Sequence, residues 1–264
     1  AGLALARRLG QRFWVFSFLT GIGYGAFRLG DWDKAEAELQ AGLAEEPDPV
    51  DRIPLLSNLI NVRACRGVAV AEEIAELDRL VGDSTDPMNA LMLHDAHAYA
   101  ALAAGDLEAA ARGWRRVGSL SAAQVPSARL SAAHCAAWSG SLAEVEADLG
   151  ALDESGIRGP LVAVQRTAII AMIAALEGRS ADAIRLFRET GAGWRAMGFA
   201  FDDALSALDL VVLLPADEPA VRTAAASART ILERLGARPF LDRLDAASAG
   251  QPARPAETAG RVPS

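Results

Sequence analysis

The feature that most constrains this sequence is a helix-ending residue that recurs at a nearly constant interval. Five glycines and one proline mark the interval, at positions 30, 67, 105, 140, 178 and 215. The successive separations are 37, 38, 35, 38 and 37 residues. Self-similarity at a period of about 20–50 residues is typical of architectures in which one structural unit is stacked many times. The chain is therefore expected to fold as a row of similar units.

Each marker is explained as the turn of a helical hairpin. A glycine can adopt the left-handed conformation that closes one helix, and a following Asp or Ser can cap the next helix. The run before a marker, such as Met88 to Ala104, is largely apolar, whereas the run after it carries one apolar stripe, as Ala35, Leu39 and Leu43 show. A single hairpin cannot bury its apolar face alone, so a stack of six is expected to form one continuous core.

Small residues also recur within the repeat. They lie seven positions before four of the markers and predict close approach of the two helices in each hairpin: Gly23, Ala98, Ala133 and Ala171. Gly191 and Gly193 fall in the middle of a predicted helix, where each costs about 1 kcal/mol relative to Ala. They predict a break or kink in that helix.

The composition favours helices throughout. The chain has 57 Ala and 33 Leu, both strong helix formers, and only 6% of its residues are aromatic. No alternating pattern typical of strands is present. We therefore predict an all-α fold, a right-handed α-solenoid of about 12 helices over residues 1–248. The proline-containing run 249–264 is predicted to be a disordered tail.

The first full unit resembles the tetratricopeptide repeat at its signature positions: Leu19, Ile22, Gly23, Gly30, Ala35, Leu39, Gly42 and Pro47. A second resemblance lies in Ala228 to Phe240, which is similar to the last repeat of large bacterial multidomain regulators. Those proteins join a cyclase or DNA-binding domain to an ATPase and a long tetratricopeptide-like tail. The chain begins at Ala1, without Met and inside a helical pattern, which indicates a piece of a longer polypeptide.

The resemblance implies a non-enzymatic interaction or sensory module for signalling or transcription, with any catalytic domain in a preceding part. Tetratricopeptide arrays form a curved trough lined by the first helix of each pair. The family's groove positions give Tyr24, Asn61, Met92, Asp95, Tyr99, His134, Gln165 and Met172, with Asp202 and Asp209 in a later unit. Such a mixture suits recognition of a protein or peptide partner.

Two alternatives remain open for these positions. They can be ordinary packing residues of a closed superhelix. They can also line a pocket inside the superhelix, around Tyr99 and His134, that makes the chain a small-molecule receptor or an all-α enzyme. The discriminating feature is convergence, because an enzyme or receptor needs several titratable groups around one pocket, whereas an interaction module needs an open trough.

The charge and the motifs exclude several classes of function. The net charge of −8 and pI of 5.0 disfavour direct contact with nucleic acid. Lys34 is the only lysine and follows Asp33, so no phosphate-binding P-loop exists here. Gly21 to Ala26 is interpreted as glycines for close helix packing rather than a dinucleotide turn. The sequence thus predicts no catalytic centre and no cofactor.

The histidines, cysteines and apolar runs support a soluble, metal-free array. His94 and His97 have the spacing of a metal pair but lack a third ligand, and we interpret both as packed within their hairpin. Cys65 and Cys135 lie in helix interiors without disulfide or zinc spacing, which favours a reduced, cytoplasmic setting. The uncharged run Phe13 to Phe27 is too short to span a bilayer and is predicted to be a buried core helix.

Overall fold

The computed structural model describes residues 2–82 and 84–250, and it confirms the all-α prediction. Within these ranges the chain forms fourteen α-helices, one short 3₁₀ turn at Ala122–Gln124, and no strand. The helices are α1 Gly2–Arg8, α2 Arg12–Arg28, α3 Trp32–Ala44, α4 Pro49–Arg66, α5 Ala71–Val81, α6 Pro87–Ala104, α7 Leu107–Leu120, α8 Val125–Trp138, α9 Leu142–Glu154, α10 Pro160–Leu176, α11 Ser180–Met197, α12 Ala200–Leu213, α13 Pro219–Leu235 and α14 Arg238–Ser248. Most of the predicted tail, 251–264, lies outside the described residues.

The marker residues lie between the two helices of six successive hairpins, from α2–α3 to α12–α13. The five marker glycines all have φ between 76° and 81°, a left-handed conformation that other residues adopt at a cost. After two of them an aspartate caps the next helix. Asp31 accepts a hydrogen bond from the backbone N–H of Lys34, and Asp106 accepts one from that of Ala109. The repeat therefore arises from a specific turn chemistry.

Close helix packing explains the small residues. Ala98, Ala133 and Ala171 are almost completely buried, and a Cβ at Gly23 would lie 2.5 Å from Cγ of Leu39. The expected break at Gly191 and Gly193 is wrong, because α11 runs without interruption from Ser180 to Met197. A Cβ at Gly193 would lie 2.5 Å from a methyl group of Val164 on α10. That glycine permits close contact between helices rather than interrupting one.

Adding one methyl group at Gly23 should therefore destabilise the protein. We expect Gly23→Ala to lower the free energy of unfolding by about 1–3 kcal/mol, because Leu39 is fully buried and has little room to move. Gly150→Ala is the matched control, since this helical glycine has no atom within 4 Å of an added Cβ and should gain up to about 1 kcal/mol. Urea unfolding measures both changes. Changes of the same sign would contradict the packing described here.

The array closes on itself, because its first hairpin contacts its last helices. The ring of Phe201 on α12 lies 6.3 Å from that of Phe27 and 5.1 Å from that of Trp32. Arg234 on α13 donates to the carbonyl of Gly30 at 3.4 Å. Helix α14 packs against α4, α6 and α12. The inner face of the array is thus a closed ring and not an open trough.

Helix α2 is buried on one face only, which corrects the prediction of a buried core helix. Phe13 and Trp14 are 60% and 53% exposed, whereas Phe16 and Leu19 are buried. None of the helices in the described ranges is both long and apolar enough to cross a bilayer.

Candidate functional site

A cavity of about 400 Å³ lies inside the ring. The first helices of all six hairpins line it, together with α7 and the 3₁₀ turn. Ser17, Gly21, Tyr24 and Gln124 are exposed and mark its mouth. Seven of the eight predicted groove residues line the cavity: Tyr24, Asn61, Met92, Asp95, Tyr99, His134 and Gln165. The eighth, Met172, is fully buried in the hydrophobic core of α10, against which α12 packs, and does not reach the cavity.

Asp95 is the carboxylate in the wall of the cavity on α6. Asn61 on α4 donates its Nδ2 to Asp95 Oδ2 at 2.8 Å, and Trp114 on α7 donates its Nε1 to Oδ1 at 3.2 Å. Burial raises the pKa of Asp95 to about 6, although these two donors and the charge of Arg28 oppose the rise. The carboxyl group can therefore change its charge near neutral pH.

Tyr99 lies one turn beyond Asp95 and forms part of an aromatic wall. Its ring meets those of Trp114 and Phe27 edge to face, at centroid distances of 5.3 and 5.7 Å. Burial raises the pKa of the Tyr99 phenol well above its ordinary value, and the nearby Asp95 raises it further. The phenol is therefore neutral at physiological pH and can act as a hydrogen-bond donor.

Arg28 and Asp202 form an ion pair in the cavity where the first hairpin meets α12. Arg28 Nη2 lies 3.4 Å from Asp202 Oδ1, and the guanidinium also covers the ring of Phe199 at 4.8 Å. Burial alone would lower the pKa of Arg28, but the combined effect of Asp202, Tyr24, Tyr99 and Asp95 raises the pKa overall. For Asp202, burial raises the pKa of the carboxyl group, and Arg28 and His134 offset part of this rise.

His134 on α8 is held by a fully buried acid on α12. Its Nδ1 lies 2.9 Å from Asp209, whose Oδ1 also accepts a hydrogen bond from Trp138 Nε1 at 2.8 Å. Asp209 fixes the orientation of the ring through Nδ1, and the imidazole forms part of the cavity wall. This contact connects residues 75 positions apart and joins the fourth hairpin to the sixth.

Three polar atoms of the cavity-lining residues have no hydrogen-bond partner in the described part of the chain. They are Thr20 Oγ1, Asn61 Oδ1 and Gln165 Oε1. Asn61 and Gln165 are only 3% and 1% exposed. Buried polar atoms in native proteins are almost always hydrogen-bonded to protein, water or ligand. The side chains of the cavity wall therefore carry hydrogen-bonding atoms that the described part of the protein does not use.

The remaining histidines and the cysteines do not take part in this site. His97 is exposed and its Nε2 lies 2.9 Å from Asp78 on α5, so the prediction that it packs inside its hairpin is wrong. Residues 2–82 and 84–250 contain no cluster of three or more metal-binding side chains. Cys65 and Cys135 are buried, and burial raises both thiol pKa values, that of Cys135 to about 12. Neither is a reactive thiolate.

The sequence did not indicate two side chains that shape the cavity. Arg28 lies just before a marker glycine, and Trp114 lies on the second helix of its hairpin, outside the groove positions of the repeat. Arg28 meets Asp202 where the ring closes, whereas Trp114 reaches the cavity from within its own hairpin, beside Asp95 and Tyr99. Only Arg28 gave a signal, since a charged residue beside a tight turn requires a partner.

Comparisons with known proteins identify distant similarity to solved structures. No family model and no curated protein matches the sequence. A solved structure of a tetratricopeptide repeat protein from Parabacteroides merdae ATCC 43184 aligns over 88% of this chain and 98% of its own, with 14% identity and a TM-score of 0.43. At this level of similarity no ligand or partner transfers to the present chain.

Proposed function

We propose that this protein is a non-enzymatic receptor module that binds a small ligand in the cavity of its helical ring. The observation that carries the proposal is a cavity of about 400 Å³ whose wall contains buried, unpartnered polar atoms on Asn61 and Gln165. Ligand sites in proteins are typically concave, mostly apolar, about 300–1,000 Å³ in volume, and carry a few well-placed polar groups. This cavity has all of these properties.

The size of the cavity limits what can enter. A folded partner cannot fit into about 400 Å³, and contacts between the first hairpin and α12 interrupt the inner face, with α14 packed against α4, α6 and α12. A peptide lying along the whole inner face would have to displace these contacts. We therefore favour a small molecule, or a short chain end, over a protein partner that occupies a continuous groove.

The chemistry of the site supports binding rather than turnover. In the described part of the chain, His134 has no hydrogen bond to a serine, threonine or cysteine. Activation of a nucleophile by a base requires such a contact. The thiol of Cys135, the next residue, has a pKa raised to about 12 and is a weak nucleophile at neutral pH. The ligand should therefore leave the cavity unchanged.

Binding of a ligand in this cavity can be coupled to closure of the ring. Arg28 on α2 and Asp202 on α12 both line the cavity, so one ligand can contact both ends of the array. A ligand that binds only the closed ring stabilises it. The sequence resembles the C-terminal tail of bacterial multidomain regulators. In such a protein, ligand-dependent closure of the ring would pass a signal to the preceding domains.

Filling the mouth of the cavity tests this function. Gly21 lines the cavity, and Gly25 on the same helix does not; neither has any atom within 4 Å of an added Cβ. A metabolite library is screened by ligand-detected NMR, and each hit at about 100 Kd should raise Tm by roughly 5–10 °C. We expect hits to bind the wild type and Gly25→Phe and to lose binding in Gly21→Phe.

Two results would contradict the proposed receptor. Ligands that bind Gly21→Phe as well as the wild type would lie outside the cavity. A library that yields no ligand would leave the cavity without a binding role. Mass spectrometry of each bound ligand after long incubation tests the absence of turnover, because a chemically altered ligand would indicate an enzyme.

A further inference from the structure

We propose that the cavity selects an organic amine, whose ammonium group binds at the Asp95 carboxylate, beside Asn61, while its apolar body contacts the aromatic wall. This inference rests on the receptor function proposed above and specifies the ligand class. It follows from the kind of hydrogen-bonding group that the cavity leaves without a partner, from its charges and from its aromatic side chains.

The unused polar atom of Asn61 is an acceptor. A carboxylate can only accept hydrogen bonds, so the nitrogen of the Asn61 amide must face Asp95, where it lies 2.8 Å from Oδ2. This fixes Oδ1 as the free atom, and it has no partner in the described ranges. Gln165 also has its Oε1 free while its Nε2 donates to Ser127 at 3.0 Å. A ligand that completes these sites must bring N–H or O–H donors.

The charge of Asp95 also lacks a cationic contact. Its two oxygens accept from the neutral donors Asn61 and Trp114, and no Lys, Arg or His nitrogen lies within 4.0 Å of them in the described part of the chain. The charged side chains that line the cavity are Asp95, Asp202 and Arg28, with the titratable His134 held by Asp209 behind it. A ligand cation would supply the missing charge, because buried carboxylates are normally paired.

The aromatic side chains near Asp95 suit the same group. Tyr99 and Trp114 lie beside Asp95 with their rings edge to face, and Tyr24 and Phe27 line the adjacent wall. Aromatic faces attract cations, most strongly where water is excluded. They also provide contact area for an apolar or aromatic body.

Arg28 is the group that would favour an anionic ligand instead. Its guanidinium already pairs with Asp202 and covers the ring of Phe199. An anion would have to compete with both contacts, and it would lie close to two carboxylates. The structure therefore favours the cation.

A series of three probes with one common body tests the inference. Tryptamine, tryptophol and indole-3-propionate share the indole ring and its two-carbon arm and differ in ending as an ammonium, a hydroxyl or a carboxylate. Isothermal titration should give tryptamine an affinity at least about ten-fold above that of tryptophol, as expected for a hydrogen bond to a charged group, with the carboxylate weakest. Asp95→Asn should lower the affinity for tryptamine about ten-fold more than the affinity for tryptophol, because only the ammonium loses a charged partner.

The pH dependence gives a second, independent readout. Asp95 loses its proton as pH rises through about 6, whereas the amine stays protonated, so tryptamine affinity should rise about ten-fold between pH 5 and 7.5. The charged or titratable groups that face Asp95 are Arg28 on α2, Cys65 on α4, Tyr99 on its own helix, and His134 and Asp202 across the cavity. Asp95→Asn should remove this ten-fold rise.

The outcomes separate this inference from the receptor function. If tryptophol or indole-3-propionate binds as tightly as tryptamine and Gly21→Phe blocks it, the cavity is a receptor site but the preference for an amine is overturned. The same holds if tryptamine fails to bind while the library yields other cavity ligands. If no compound of any class binds, both proposals fail. A circular dichroism spectrum of Asp95→Asn like that of the wild type shows that the variant is folded.

Discussion

Replacing Asp148 with Ala is expected to lower the free energy of unfolding by about 3–5 kcal/mol. Asp148 on α9 is completely buried and accepts hydrogen bonds from Arg115 Nη2 on α7 at 2.8 Å and from Arg129 Nη1 on α8 at 3.0 Å. Its loss leaves the Arg129 guanidinium without an acidic partner in the described part of the chain and leaves Arg115 only Glu144, whose side chain is 53% exposed. Both arginines are about a quarter exposed, at 28% and 22%, so water relieves part of this cost.

A matched control for Asp148 isolates the effect of burial. Asp153 also holds an arginine through two hydrogen bonds, from Arg166 Nε at 2.7 Å and Nη2 at 3.0 Å, but their side chains are 39% and 47% exposed. Exposed ion pairs contribute about 0–1 kcal/mol. Urea unfolding of Asp148→Ala and Asp153→Ala should therefore differ by at least about 2 kcal/mol. Equal losses would mean that the junction of α7, α8 and α9 does not depend on the buried acid.

Asp148 also shows what the sequence could not predict. The helical period places this aspartate on the buried stripe of α9 with Val145 and Leu152, and the exposed Glu146 off it, but the period does not identify the partners of the acid. Its burial depends on arginines 33 and 19 residues away, on two other helices. Local patterns fix the turns and the faces of helices, because these depend on neighbours within one or two turns. They do not fix which charges from separate hairpins meet.

The same distinction holds for the cavity. The repeat frame identified one face of each first helix, and seven of the eight named residues lie on the cavity wall because that face points inward in every hairpin. Whether the wall forms a trough or a closed cavity depends on small rotations that add up over six hairpins. It also depends on the position of α14. Neither the rotation between hairpins nor the position of α14 can be predicted from the sequence of a single repeat.

The junction that closes the ring gives the other large expected effect. Trp32 is 2% exposed and donates its Nε1 to the carbonyl of Phe27 at 3.1 Å. Its ring stacks on that of Phe27 and meets that of Phe201 edge to face, at centroid distances of 5.5 and 5.1 Å. Trp32→Ala should lower the free energy of unfolding by about 3–5 kcal/mol, because it removes a large buried side chain. Trp32→Phe keeps a ring at the junction and should cost less.

Trp194→Ala separates the closure of the ring from general loss of stability. Trp194 is also fully buried and donates its Nε1 to Ser206 at 3.0 Å, but it does not line the cavity. The two truncations should cost similar amounts of stability in urea, since both remove a buried indole. Only Trp32→Ala releases the first hairpin from α12, so it alone should increase the radius of gyration measured by X-ray scattering. It alone should also weaken binding of a cavity ligand ten-fold or more, which corresponds to about 1.4 kcal/mol of binding free energy. If Trp194→Ala weakens ligand binding as much, or if Trp32→Ala binds like the wild type, closure of the ring does not form the site.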